Sequence, residues 1–320
     1  MSARFFFFCI FLLISRIPVS AQKTPVSTFT VVPLGVKGGI DESNLSAYLL
    51  APAGTTNYIC LDAGTLHAGI EKAVQNRAFT VSSETVLKEY IKAYLISHPH
   101  LDHLAGLIIN STDDAKKPVY GSAGCLEVLK KHYFNWQSWP NMGSEGDQPA
   151  LSKYRYTVLA PAAETVIEST EMSVRLFPLS HGMSYQSAAF LIKSGGSYVL
   201  YLGDTGPDLI EKSQNLTKLW QAIQPLVQSK ALKAIFMEVS YPNEQPDNQL
   251  YGHLTPNWLM HELRALGKRT GPEALNGFPV VITHMKPTGT NETIIKKQLQ
   301  EANSVNVTLI FPEQGKPLHF

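Results

Sequence analysis

Residues 98–103 read His-Pro-His-Leu-Asp-His and follow Tyr94-Leu95-Ile96, a short apolar run that predicts a strand. Three imidazoles and one carboxylate in six positions point first to a metal site. Such side chains ligate zinc, iron or manganese where neither thiolates nor an all-oxygen shell is present. The chain has ten histidines in 320 residues, so a solvated loop that gathered three of them by chance is the poorer reading. If the backbone leaves the strand extended, His98 and His100 point to one side. Asp102 and His103 come later and can serve a second cation beside the first.

The arrangement recurs downstream. Val174–Leu179 leads to Ser180-His181-Gly182, Tyr198–Leu202 leads to Gly203-Asp204-Thr205, and Phe278–Ile282 leads to Thr283-His284. Apolar runs of strand length that each deliver a ligand at their C-terminal end describe a site built on a sheet edge. His181 alone would read equally well as an ordinary core or surface histidine. Taken with the first cluster, His181, Asp204 and His284 become candidate ligands.

Phe5–Ile14 is almost wholly apolar, Arg4 precedes it, and Val19-Ser20-Ala21 offers small residues before Gln22. This predicts a signal peptide over residues 1–21 and a secreted or periplasmic mature chain over 22–320. The apolar run is short for a bilayer span, and no later segment is long enough, so stable membrane insertion is not expected. Loss of Arg4 and Arg16 leaves 25 Lys and Arg, 27 less two, against 26 Asp and Glu. With no basic excess to release counterions, a nucleic-acid polymer is not the expected partner. Cys9 leaves with the leader. Cys60 and Cys125 are either one disulfide or, as the strand-like Tyr58–Leu61 suggests for Cys60, buried small hydrophobes.

The remaining pattern predicts two mixed halves. Phe29–Leu34, Ala47–Leu50 and Tyr58–Leu61 read as strands, and Ser83–Tyr90, with Ser83 as N-cap, and Gly124–Tyr133 read as helices. Further helices are expected over Leu216–Gln228, which Pro225 should kink or end, over Pro256–Leu266 behind an N-cap at Thr255, and over Glu292–Ala302. Val305–Phe311 should return as a strand. Two such halves that share one site fit an α+β fold, a four-layered αββα sandwich in a single domain. Residues 134–156 fit neither period and read as a cap over the site or a long surface loop.

His98-Pro-His100-Leu-Asp102-His103, with His181, Asp204 and His284 in order behind it, resembles the metallo-β-lactamase fold superfamily. Leu34–Gly39, Asn44–Leu49, Leu61–Thr65, Ser97–Gly106 and Gly252-His253-Leu254-Thr255-Pro256 are similar, more narrowly, to the class II cyclic-nucleotide phosphodiesterases, from about residue 28 to 312. The resemblance implies that His98, His100 and His181 hold one metal, that Asp102, His103 and His284 hold another, and that Asp204 bridges them. It implies hydrolysis of 3′,5′-cyclic AMP or GMP to the 5′-monophosphate with two divalent cations; the ligands suit zinc, manganese or iron, and the expected export puts zinc first. Asp102, Glu238 and His253 are the residues expected in the chemistry, with His253 as general acid to the departing O3′ and Glu238 as its partner.

Trp136, Trp139 and Tyr185 could stack the base of such a small-molecule substrate, or could be core or dimer residues, and a homodimer stays open. His67 is either a substrate contact or a surface side chain. Four alternatives compete: another small phosphodiester, a β-lactam or other small ester or amide, tRNA 3′-end processing, and a non-enzymatic protein that keeps metal for structure. The carboxylates Asp102 and Asp204 argue for phosphoesters, and the charge balance argues against tRNA.

Overall fold

In a computed structural model, the structure describes Met1 and residues 28–182, 185–271 and 273–320. The segment read as a signal peptide lies, apart from Met1, outside the described residues. The first half carries β1 (Phe29–Gly35), β2 (Ala47–Pro52), β3 (Tyr58–Leu61), β4 (Ile91–Ile96), β5 (Lys117–Gly121) and β6 (Tyr154–Val158). Between them lie α1 (His67–Gln75), α2 (Ser83–Thr85), α3 (Leu101–Asn110) and α4 (Ala123–Val128). The second half carries β7 (Thr165–Ile167), β8 (Met172–Ser180), β9 (Gln186–Ser194), β10 (Ser197–Leu202), β11 (Leu232–Glu238), β12 (Pro279–Thr283) and β13 (Thr308–Ile310). Its helices are α5 (Asp208–Glu211), α6 (Asn215–Gln228), α7 (Pro256–Thr270) and α8 (Asn291–Ala302), and β14 (Leu318–His319) ends the chain.

Two seven-stranded sheets result, ordered β14-β1-β2-β3-β4-β5-β6 and β13-β12-β11-β10-β9-β8-β7. Period-two alternation sorts their side chains. Tyr48, Leu50, Ile59, Leu61 and Leu95 of the first sheet meet Phe190, Tyr201, Phe236 and Val281 of the second in one central core. The intervening Leu49, Cys60, Tyr94 and Ile96 face α1, α3 and α4 through Ile70, Leu104, Leu107 and Leu126. Leu200, Leu202, Ile235, Met237 and Ile282 face α6, α7 and α8 through Trp220, Ile223, Leu263 and Ile295. Strands covered on both faces must be apolar throughout, which is why these runs look continuous rather than alternating. The layers are therefore helices, sheet, sheet, helices, as expected.

Strands β3 to β6 run parallel, and so do β10 to β13. Their carboxyl ends open on the same crevice, the usual place for a site in such sheets. A buried ion pair braces the first set. Lys117 Nζ lies 2.6 Å from Asp114 Oδ1, while the hydroxyls of Tyr94 and Tyr154 donate to Asp114 Oδ2 at 2.7 and 2.8 Å.

Several boundaries differ from the sequence reading. Ser82, not Ser83, caps α2, its hydroxyl accepting from the Thr85 amide, and the helix widens at once into a π-turn over Val86–Tyr90. The helix expected over Gly124–Tyr133 begins at Ala123 and likewise changes into a π-turn at Leu129–Tyr133. Pro225 neither ends nor replaces α6, which runs on to Gln228. Its missing amide removes one bond of the ladder, the one to the Gln221 carbonyl four residues earlier. Thr255 caps α7 and Pro256 opens it, but the helix continues to Thr270. Of Val305–Phe311 only Thr308–Ile310 pairs, in parallel with β12. Cys60 and Cys125 are both buried and free. Among the described residues no helix is long and apolar enough to cross a membrane.

Candidate active site

His98 follows β4, and His100 sits in extended backbone as the N-cap of α3. Asp102 and His103 fall in the first turn of that helix. His181 follows β8, Asp204 follows β10, Glu238 ends β11 and His284 follows β12. The two sheets thus bring every candidate ligand to one crevice. All are buried except His100 and Asp102, which are partly open.

The nitrogens define a first pocket. His100 Nδ1 lies 3.1 Å from His98 Nε2 and 3.2 Å from His181 Nε2. His181 Nδ1 is 2.9 Å from the Gly252 carbonyl, so this nitrogen carries the proton and Nε2 keeps its lone pair. His98 Nδ1 is likewise engaged by the Ser97 hydroxyl at 3.0 Å. Nitrogens crowded with their lone pairs converging repel one another unless a cation lies among them. Burial holds the proton affinities of His98 and His100 below the usual imidazole value and that of His181 down to about 4, which suits neutral ligands.

A second pocket adjoins it. His284 Nε2 lies 3.1 Å from Asp102 Oδ2 and 3.2 Å from Asp204 Oδ2, and His103 Nε2 lies 3.2 Å from the same Asp204 oxygen. His103 Nε2 is buried and makes no hydrogen bond, the condition of a ligand atom rather than a donor. Asp204 Oδ2 stands between the pockets, 3.8 Å from His98 Nε2 and 3.9 Å from His181 Nε2. Burial opposes ionisation of Asp204, but His103 and His284 hold it well below the usual carboxylate range. Burial also opposes charge on His103 and His284, which Asp204 overrides by raising both. Three imidazoles in one pocket, two imidazoles and a carboxylate in the other, and one shared carboxylate oxygen fit two divalent cations of the zinc, manganese or iron class.

Surrounding groups set these rings. Asp62 is fully buried at the end of β3 and accepts from the Ser97 amide at 2.7 Å, the Ser97 hydroxyl at 2.8 Å and the Tyr201 hydroxyl at 2.7 Å. It also holds His103 Nδ1 at 2.8 Å, which turns Nε2 toward Asp204 and raises the ring's basicity as a ligand. Sequence reasoning passed over Asp62 as motif text, although a carboxylate at a strand's C-terminal end was the very signal used for Asp204. The glycine-rich opening serves the second pocket: the Gly39 amide donates to Asp102 Oδ2 at 3.0 Å.

Glu238 and His253 form the expected pair, with Glu238 Oε1 2.8 Å from His253 Nδ1. His253 Nδ1 is 3.8 Å from Asp204 Oδ2, so the pair borders the metal pockets. Gly252 shapes this approach. It has φ +79°, and a Cβ there would lie 2.4 Å from the His181 carbonyl carbon.

The three stacking candidates separate. The exposed Tyr185 ring lies 4.9 Å from that of His100. Trp139 does not join the site: its indole donates to Ser111 Oγ beyond the far end of α3 and packs on the outer core. Trp136 donates to the Pro149 carbonyl within the long loop. That loop, up to β6, packs on its own backbone through Asn141 and on the first helical layer. His67 is an exposed residue opening α1, beside Ile109 and Asn110 of the far end of α3.

Comparison with known proteins agrees with this geometry. A 3′,5′-cyclic-nucleotide phosphodiesterase of Aliivibrio fischeri is 44% identical over 326 residues, covering 97% of this chain and 98% of that protein. The crystal structure of unliganded yeast PDE1 matches with a TM-score of 0.82 at 23% identity, covering 92% of this chain and all of that one. The metallo-β-lactamase fold protein YhfI from Bacillus subtilis matches with a TM-score of 0.61 at 16% identity, over 91% of this chain and 99% of that one. At those identities the two structures establish the fold, that of the metallo-β-lactamases. The family described as class II cAMP phosphodiesterases matches residues 27–315, and with that span and the 44% relative the chain belongs to this family.

Proposed function

We propose that this protein hydrolyses 3′,5′-cyclic nucleotides to nucleoside 5′-monophosphates at a centre for two divalent metal ions. The observation that carries the reading is Asp204 Oδ2, one carboxylate oxygen within 3.9 Å of five ring nitrogens, four from the candidate ligands His98, His103, His181 and His284 and one from His253. His98, His100 and His181 would hold one cation, Asp102, His103 and His284 the other, with Asp204 shared. When bound, such a pair lowers the pKa of water for attack on phosphorus and neutralises charge on the phosphoryl oxygens. The donor set suits zinc, manganese or iron, and the expected export is our ground for favouring zinc.

The chain's own groups then handle the leaving side. Hydrolysis adds water's oxygen to phosphorus and breaks the P–O3′ bond, so O3′ must gain a proton. Glu238 Oε1 holds His253 Nδ1, which leaves Nε2 as the atom that can deliver it. The Thr205 amide, donating to Glu238 Oε1 at 3.2 Å, and the Ser240 hydroxyl, donating to Oε2 at 2.7 Å, fix the carboxylate. The exposed Tyr185 ring beside His100 offers a face to the base.

Arg4, the apolar Phe5–Ile14 and the small residues before Gln22 support export and removal of residues 1–21. The N-terminal sequence of protein recovered outside the cytoplasm tests this, with a start near Gln22 expected. The deciding experiment for the activity is product analysis on cyclic AMP and cyclic GMP, before and after chelation and zinc return. Metal-dependent 5′-monophosphate is the expected product. No turnover by protein carrying two metals would refute the reading and move the search to other small phosphodiesters.

A further inference from the structure

Ser240 is fully buried, two residues beyond Glu238, and its hydroxyl is the meeting point of three site residues. Oγ lies 2.7 Å from Glu238 Oε2, 2.9 Å from His284 Nδ1 and 3.1 Å from His253 Nδ1, with the His284 carbonyl farther away at 3.3 Å. A serine hydroxyl has one proton to give and two lone pairs to accept with. The serine proton goes to Glu238 Oε2 along the shortest of these contacts. Both lone pairs are then left for N–H donors, and the two nearest ring atoms are the Nδ1 positions of His284 and His253. Accepting from both requires a proton on Nδ1 of each ring, the one on His253 being shared with Glu238 Oε1. For His284 this leaves Nε2 bare, facing Asp102 and Asp204. For His253 it reinforces the orientation already imposed by Glu238 Oε1.

We propose that Ser240 is a positioning residue that holds Nδ1–H of both His284 and His253, baring Nε2 of His284 for the second metal pocket and aiming Nε2 of His253, which carries that ring's second proton when it acts as the acid, at the leaving group. The inference rests on the two-metal reading above. Among the described residues the Ser240 hydroxyl bonds to Glu238, His253 and His284 and to no ligand of the first pocket, so the first cation should not feel its loss.

The test is a metal-binding and kinetic comparison of Ser240→Ala and Ser240→Thr with the unaltered protein. Zinc affinity is read by competition with a chromogenic chelator, and turnover is read on cyclic AMP. Ser240→Ala should weaken the second zinc equivalent by about 10- to 100-fold, as loss of a group orienting a ligand does, and leave the first unchanged. It should also lower kcat more than it raises KM. Ser240→Thr keeps the hydroxyl and should recover most of both losses. If the alanine variant fails to fold, Ser240→Cys, with a sulfur that accepts poorly in the same space, takes its place with the same expectations. Unaltered affinity for the second zinc in a folded Ala or Cys variant would overturn the proposal, as would equal weakening of both equivalents. Failure of the unaltered protein to bind two zinc ions or turn over would instead refute the reading of the site itself.

Discussion

Gly38 lies against the imidazole of His284: a methyl group built on its Cα would sit 2.2 Å from His284 Cε1 and 2.4 Å from Nδ1. The loop after β1 therefore has to be side-chain-free at this point for the last ligand to reach Asp102 and Asp204. Gly38→Ala should displace the ring, weaken the second metal and lower turnover by about 10- to 100-fold. Gly124→Ala is the control, since Gly124 is exposed in α4 with open space around it, and there alanine should be neutral or stabilising by up to about 1 kcal/mol. Zinc titration and turnover of the two variants check this. Equal behaviour would remove the role given to Gly38.

Removing the proton donor should matter most where the leaving group needs a proton. His253→Ala is expected to lose about 10²- to 10⁴-fold in kcat on cyclic AMP, and much less on a p-nitrophenyl phosphodiester, whose phenolate departs unaided. A loss of equal size on both substrates would place His253 in binding or folding instead.

Acidification should empty the two pockets in order. His103 and His284 have proton affinities raised above the ordinary 6.5, so burial is outweighed by Asp204 and its neighbours. Loading the second pocket must therefore expel protons over a wider range of pH than loading the first. As pH falls through these raised values, proton competition strengthens and the second metal leaves. His181 has its value lowered to about 4 by burial, and His98 and His100 are lowered as well, so the first metal should persist to more acidic solution. Calorimetric zinc titration in buffers of different ionisation enthalpy measures the released protons. A first equivalent that is the more acid-sensitive of the two would contradict the assignment.

Tyr185→Ala tests the base platform. Loss of one stacked ring should cost about 1–3 kcal/mol in substrate binding, seen as a higher KM with kcat nearly kept. An unchanged KM for both cyclic AMP and cyclic GMP would take Tyr185 out of recognition.

Stability should respond sharply to Asp114. Its carboxylate pairs with buried Lys117 and receives two tyrosine hydroxyls. Asp114→Ala strands that lysine and should cost about 3–5 kcal/mol. Urea unfolding of the metal-loaded protein measures it, and a cost below about 1 kcal/mol would mean that Lys117 finds another partner.

Most of the site could be read from the chain because each ligand follows a strand, and strands that are covered on both faces announce themselves as short apolar runs. His98, His181, Asp204 and His284 all belong to that pattern. The same rule would have caught Asp62 after β3, but a carboxylate that touches other protein groups rather than a metal carries no separate signature. Ser240 was less accessible still, since its importance lies in three distances that only the pairing of β11 with β12 and the entry to α7 create. The Gly252–Pro256 motif, recognisable as text, acquires a physical meaning once Gly252 is seen to back onto His181 while Thr255 caps α7. Trp136 and Trp139 stayed open between a base platform and core packing because an aromatic-rich loop looks the same in sequence whether it faces a substrate or closes on itself.

The two sheets contribute to the centre from opposite ends of the chain, with His98 to His103 on one and His284 on the other. A growing polypeptide can thus assemble the first pocket only after Asp204 has emerged, and the second only after His284, a few dozen residues before the end. Completion of the two-metal centre therefore waits for His284. If the leader directs export, the cations are acquired wherever the finished chain folds, and the metal supply of that compartment, rather than of the site of synthesis, decides which ions the enzyme carries.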